Sequence, residues 1–439
     1  MIFIEKSKIG EFEKKCVIAL FLDCYKYSLV QYYDNYHFSA KDEKGTVHNI
    51  YLFNAPDSKE ISCKVFQLRA NRNSTENMEY ILLDNNFASE FKDFAKNSFL
   101  FVKQKFWKKE WETKYPDLFD NAIPVPPKEY SSVYKYKSNP DDCGKSLRCD
   151  TVTARRRWFQ DFINGTVIFT DPKKFNDPYD CDCDIAYTKS FAKLVYLALE
   201  KKISNEYIVN AIEEITGTKD DLEYIKKIMR RASEMAAEKE KKQGDENITS
   251  TLKDKKRTIL DDDKLDKAIE RLNEYKMRLQ NLKGDVRVLC VSPHYNDILM
   301  WGYYGNCGQG LCCGYDYSKL LGDLSVAENH SICIYGTVHY DIEKPQYDPK
   351  TGSKFDGLWE YVIDCMFTKY EKWHYEDEYR FVLLKEEFPS SVISFKSDVE
   401  SYYLGCLNKS NPLQEKFDFP TEKTLHQLKK DRKKYLLTE

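Results

Sequence analysis

No apolar run in this chain of 439 residues approaches a membrane span, and the opening Met1-Ile-Phe-Ile-Glu-Lys lacks the basic, apolar, small-residue order of a secretory signal. A charge excess is missing too: 68 Lys and Arg stand against 71 Asp and Glu, a net −3 that argues against a nucleic-acid partner engaged by global charge. Internal repeats are absent. The 14 cysteines contain no Cys-x-x-Cys pair, so neither Cys181-Asp-Cys183 nor Cys307 with Cys312-Cys313 has the spacing of a zinc site. Buried thiols of a cytoplasmic protein are expected instead, with no structural metal.

What is present is aromatic. There are 32 Tyr and 25 Phe, which imply aromatic-rich sheets and a possible stacking cleft. The length allows two or three domains.

The order of patterns is α+β. Over residues 1–125, the runs Cys16–Leu22, Tyr27–Tyr33, His48–Phe53 and Ser62–Leu68 predict strands. Phe87, Phe91, Phe94, Ala95, Val102 and Phe106 then recur at helical spacing, with Lys108, Lys109 and Lys114 at the far end. The result is a small β-sheet-plus-helix domain of accessory character, able to recruit a protein acceptor or partner. The stretch Ile123-Pro-Val-Pro-Pro-Lys128 reads as a stiff linker.

A mixed α+β domain is expected over 130–189 and 284–439, divided by a helical insertion over 190–283. Its strands are Tyr134–Lys137, Val167–Thr170, Val286–Val291, Gly310–Tyr315, Ile332–Tyr340, Tyr379–Leu384 and, last, Ser391–Phe395. Within the insertion, Leu265, Ala268, Leu272, Tyr275, Leu279 and Leu282 form a seam for helix packing. The charged stretch 236–263 is expected to be a mobile crossing. Thr421–Leu437 reads as a basic helix.

Three signatures carry the chemistry. The first is Val167-Ile-Phe-Thr-Asp-Pro-Lys-Lys-Phe-Asn-Asp-Pro-Tyr-Asp180. Asn176 and Asp177 suit a sharp turn after a strand, or they point into a cleft and fix a polar ligand. The second is Cys290-Val-Ser-Pro-His-Tyr-Asn-Asp-Ile-Leu-Met-Trp-Gly-Tyr-Tyr304, continuing to Gly310–Asp316. Trp301 and Tyr304, three apart, share a helix face: either a clamp on a sheet or a platform for a flat heterocycle. The third is Lys369 followed by Trp373-His-Tyr-Glu-Asp-Glu-Tyr-Arg-Phe381. In a strand, Glu376, Glu378 and Arg380 face one side, and Asp377 and Tyr379 the other. Such a set is a structural ion pair, or it holds a ribose hydroxyl and stabilises positive charge at the anomeric carbon.

Tyr134-Lys-Tyr136, Phe169 to Asp180, Met300 to Asp316 and Trp373 to Arg380 together resemble the bacterial domain-of-unknown-function 2971 family over about residues 134–410. More distantly, their order is similar to the ADP-ribosyltransferase superfamily, which implies a split-sheet domain with NAD as substrate. By that resemblance Lys135 or Tyr136 takes the place of the superfamily's NAD-positioning His or Arg, since Tyr134–Lys137 has neither. Ser292 or Thr170 would line the cleft, Tyr304 would stack the nicotinamide and Glu378 would hold its ribose, with Arg380 fixing that carboxylate. The expected activity is ADP-ribosyl transfer or NAD hydrolysis, in a defence or toxin setting.

Other classes remain open. A nucleotide-binding sensor would use the same cleft without turnover. A nuclease would draw Asp177, Asp180, Glu376 and Glu378 around Mg²⁺, although no recognisable nuclease motif is present. The charged helices also fit an interaction scaffold.

Overall fold

The computed structural model describes residues 2–24, 26–34, 37–53, 78–82, 110–119, 124–141, 151–183, 188–200, 202–217, 221–244, 262–327, 332–347, 358–384, 390–408 and 412–439. The class is α+β. The chain falls into two compact units, one of Met1–Cys181, Asp285–Glu343 and Met366–Glu439, the other of Asp182–Gly284 and Lys344–Cys365.

The second unit is helical. Thr188–Ala198, Asn205–Glu214, Leu222–Gly244 and Asp262–Gly284 bury the stripes expected from spacing, among them Phe191, Leu194 and Ala198, and Leu265, Leu272 and Leu279. Residues 236–244 are not a mobile crossing: they continue the Leu222–Gly244 helix. Ala, Glu and Lys are good helix formers, and Arg231 pairs across the turns with Glu234 and Glu238. Residues 245–261 lie outside the described set.

The first unit contains the strands β1 (Ile2–Glu5), β2 (Ser28–Asp34), β3 (His37–Lys41), β4 (Val47–Phe53), β5 (Met78–Leu82), β6 (Ser132–Lys137), β7 (Thr166–Thr170) and β8 (Val286–Val291). It continues with β9 (Leu311–Asp316), β10 (Ile332–Thr337), β11 (His339–Asp341), β12 (Thr368–Tyr370), β13 (Tyr379–Leu384), β14 (Val392–Lys396), β15 (Ser401–Leu404) and β16 (Thr424–Gln427). β2-β3-β4-β5 form one sheet; the others that matter here are a six-stranded sheet, β1-β10-β13-β8-β7-β14, and a four-stranded sheet, β16-β15-β9-β6. Their inner faces share one core, with Val167, Leu289, Phe381 and Phe395 from the first and Val133, Leu311, Tyr315 and Tyr402 from the second. The thiols of Cys312 and Cys313 are buried on opposite faces of β9, as strand alternation requires.

Several expectations are corrected. Cys16–Leu22 is not a strand but the middle of the helix Ile9–Cys24. A seven-residue apolar run fits either period; here Phe12, Cys16 and Ala19 recur at helical spacing, and Phe21 and Leu22 are buried as well. Ser62–Leu68 and most of the predicted helix after it lie outside the described residues, which show only Glu110–Lys114. There Trp111 Nε1 donates to Asp23 Oδ2 at 2.7 Å and Tyr115 Oη to Asp23 Oδ1 at 2.8 Å. Thr421–Leu437 is not a helix either. Thr424–Gln427 pairs in parallel with β15, and Lys429–Lys430 pairs with Leu437–Thr438, so β14 is not the last strand. Burial of Leu428 and Leu437 against the four-stranded sheet overrides a helix-compatible charge pattern.

The join between the helix Val152–Ile163 and β7 is tight. Gly165 follows the helix at φ +80, and a Cβ there would sit 2.1 Å from the Ser397 carbonyl oxygen. Gly165→Ala is expected to cost on the order of 2 kcal/mol or more, read from the urea midpoint; a change under about 0.5 kcal/mol would refute this account of the join.

Candidate functional site

The site grows from the edge of β8. Thr170 on β7 pairs with Val288, and Tyr134 on β6 bridges to Ser292 just past the end of β8. Between those two points β8 has neither strand as a regular partner, and the Cys290 carbonyl instead accepts from Lys135 Nζ at 2.6 Å. The space so opened holds two adjoining cavities, of about 320 Å³ and about 140 Å³, which share Lys135, Tyr136, Phe175, Asn176, Cys290 and Tyr304 in their walls.

The smaller cavity has an ionic floor. The chain expected to run as one strand through Ile332–Tyr340 breaks at Val338, whose N–H donates to the Glu378 carbonyl. The break frees β11 to pair with β12, placing Tyr340 beside Lys369. Lys369 Nζ then lies 2.6 Å from Glu376 Oε2, 3.3 Å from Glu378 Oε2 and 3.4 Å from Asp180 Oδ2. The Arg380 guanidinium completes the cluster. Its Nη2 donates to both Asp180 oxygens at 2.8 and 2.9 Å and to Glu378 Oε2 at 2.8 Å, its Nε to Glu378 Oε1 at 3.0 Å, and its Nη1 to the Met366 carbonyl at 2.7 Å.

Glu376 and Glu378 do not share one strand. Glu371–Glu376 is a 3₁₀ turn, Asp377 is left-handed at φ 44 and ψ 51, and β13 begins only at Tyr379. The convergence survives because the left-handed residue turns Asp377 outward to accept from Tyr130 Oη at 3.0 Å. Tyr304 Oη donates to Glu376 Oε1 at 2.8 Å, the Ser292 hydroxyl to the Glu376 carbonyl at 2.7 Å, and the Glu378 N–H to Tyr340 Oη at 2.8 Å.

Residues 300–381 match the family described as Protein of unknown function (DUF2971). No curated protein and no solved structure matches the chain. The DUF2971 segment thus contains Tyr304, Lys369, Glu376, Glu378 and Arg380, while Lys135, Phe175 and Asp180 reach the same place from outside it.

Within the DUF2971 segment the two glutamates are driven apart. Burial raises the Glu376 carboxyl, and the neighbouring Glu378 charge adds to the rise that Lys369 only partly offsets. Burial would raise Glu378 as well, but Arg380 and then Lys369 outweigh it and hold that carboxyl well below the usual range. Burial disfavours the charged Lys369, yet Glu378, Asp180 and Glu376 keep its ammonium well above its ordinary value. The Cys290 thiol is pushed up by burial and by Glu378, so it is not a poised nucleophile.

The remaining residues singled out by sequence fall into three groups. Lys135, Tyr136, Asn176 and Tyr304 line both cavities, Ser292 the smaller and Thr170 the larger. Asp177 lines neither: its carboxylate accepts the Tyr179 N–H and holds the turn. Trp301 lines neither and is no stacking platform. It is 1% exposed, edge-on to Tyr136, with Nε1 donating to the Tyr295 carbonyl at 2.8 Å.

Sequence reasoning missed the roles of Lys369 and Asp180 in the cluster, and Phe175 as a wall of both cavities. Asp180, four residues after Asn176 in the first signature, was the available signal. Lys369 also bears on the nuclease reading, because a cation already sits amid Asp180, Glu376 and Glu378. Among the described residues no His, Cys, Asp and Glu group has the form of a metal site, and no helix is long and apolar enough to cross a membrane.

Proposed function

We propose that this chain is an NAD-using enzyme of the ADP-ribosyltransferase type. One observation carries the reading: two inward carboxyl groups, Glu376 and Glu378, form the floor of a cavity that opens beside a larger one lined by lysines. Such a cleft suits a ligand with a hydroxyl-rich end and an anionic end, as a nucleotide has. Three carboxyl groups face two cations in the cluster, so fully ionised it carries one negative charge in excess. That excess favours positive charge developing at an anomeric carbon held above it.

In the proposed step the bond from the ribose anomeric carbon to nicotinamide breaks, its electron pair leaves with the nicotinamide, and an acceptor O–H or N–H bonds through its oxygen or nitrogen to the same carbon and releases its proton to water. Glu378, anchored by Arg380, accepts a ribose hydroxyl; Glu376, held by Lys369 and Tyr304, faces the developing charge. Phe175 and Tyr304 offer aromatic surface to the leaving ring. Arg380 is completely buried and lines neither cavity, so it positions carboxylates and does not touch substrate.

A second reading, a nucleotide-binding sensor, is favoured by one feature: both oxygens of Glu378 already accept from cations. The two separate cleanly in an assay of nicotinamide release from NAD, with and without cell lysate as a source of acceptors. Glu378→Gln is expected to lower release by about a hundredfold, the scale of losing a transition-state electrostatic contact. Glu376→Gln, which keeps an oxygen acceptor for Lys369 and Tyr304 but removes the charge, should lower it as well. Full release by a folded Glu378→Gln variant sinks the mechanism. Tight binding of ADP-ribose with no release from folded wild type makes the protein a sensor.

A further inference from the structure

The two cavities differ in the sign of their walls. Asp180, Glu376 and Glu378 line the smaller beside Lys135 and Lys369, whereas the larger is reached by Lys135, Lys137 and Lys174 and by no Asp or Glu. Two of those lysines sit where a strand should be apolar. The pairing of β6 with β9 sets Val133 opposite Tyr315, Lys135 opposite Cys313 and Lys137 opposite Leu311, and all four partners other than the lysines belong to the core. An ammonium on a core-facing strand face must be met by something polar, and Lys135 Nζ donates to the Cys290 carbonyl at 2.6 Å. Lys137 Nζ lies 4.0 Å from the centre of the Trp158 ring, and Lys174 Nζ donates to the Ser391 hydroxyl.

A second, independent observation comes from β9, the neighbour of β6 in the same sheet. Tyr315 is 2% exposed and lines the larger cavity, and its hydroxyl meets only the Cys313 thiol, with no oxygen or nitrogen partner among the described residues. A thiol is a weak partner for a buried phenol, so an oxygen acceptor within this cavity would satisfy it better.

We propose that the larger cavity is a phosphate subsite, which takes the phosphates of a nucleotide whose ribose rests on the carboxylate floor of the smaller one. Lys135, Lys137 and Lys174 meet the phosphoryl oxygens, and Tyr315 donates to one of them. The inference deepens the proposed function and rests on it for the ribose end of the ligand.

The test uses the full chain, with inorganic pyrophosphate as the probe and calorimetry as the readout, alongside thermal melts. Wild type is expected to bind pyrophosphate, more weakly as salt rises. Lys137→Gln and Lys174→Gln should each weaken binding by about tenfold, the scale of a charge-assisted contact. Tyr315→Phe should weaken it by about threefold or more while barely moving the melting midpoint, because the hydroxyl it removes has only a thiol as its partner in the unliganded protein. If Lys137→Gln does not fold, the exposed Lys174 carries the comparison. No binding by wild type, or binding indifferent to both lysine changes, overturns the subsite. Lysine-dependent binding beside full nicotinamide release by Glu378→Gln overturns the catalytic reading alone; lysine-independent binding beside Glu378-dependent release overturns the subsite alone.

Discussion

Lys369→Met is expected to destabilise the protein by about 3–5 kcal/mol at neutral pH, the usual cost of removing one partner from a buried ion cluster. The ammonium lies within 3.4 Å of three carboxylates, and Met replaces it with a side chain of similar length and no charge. The variant should also acquire a characteristic pH dependence. Without Lys369, burial and the neighbouring Glu378 charge raise Glu376 further above its unfolded value, while Arg380 still anchors Glu378. A group raised on folding stabilises below its unfolded pKa and loses that contribution as pH climbs through its folded pKa. The deficit should therefore shrink as pH is lowered from about 7.5 toward 5.5, as urea midpoints at the two values would show. Wild-type Glu378 has the opposite sign: held low, it stabilises above the ordinary carboxylate pKa of 4.5, and the contribution is lost on acidification below that. A deficit that does not change with pH would mean that Lys369 acts by packing alone.

Arg380→Lys should cost about 3 kcal/mol despite keeping the charge. One guanidinium nitrogen serves both oxygens of Asp180 and one of Glu378, a second serves Glu378, and a third the Met366 carbonyl and the Cys181 thiol. A single ammonium cannot reproduce that fork, and each group left unpaired at full burial carries its own desolvation cost. Nicotinamide release should fall with it, because Glu378 loses the anchor that orients it. Stability within about 0.5 kcal/mol of wild type would show that the fork is dispensable and that charge alone holds the cluster.

Local structure was legible in the residues wherever the pattern had one period. The helix Asp262–Gly284 and the strands β6 to β9 follow from apolar spacing. It was not legible at Cys16–Leu22, where an unbroken apolar run fits helix or strand, nor at Thr424–Gln427, where pairing with a strand some twenty residues earlier decides the matter. By residue alternation the third signature suits one strand with a charged face. Its charged face exists, yet a left-handed Asp377 makes it, and nothing in the composition of Glu-Asp-Glu specifies that turn.

The residues alone determined the α+β class and the resemblance to the DUF2971 family, because both depend on short-range spacing. Tertiary structure decided the rest. It chose Tyr304 over Trp301 for the cleft, brought Asp180 across some two hundred residues to Arg380, and put Lys369 among three carboxyl groups. The reason is physical. A side chain's protonation, pairing and access to ligand are set by what is packed around it, and those neighbours come from β6, β8, β12 and the Asp171–Asp180 turn, which sequence order keeps far apart.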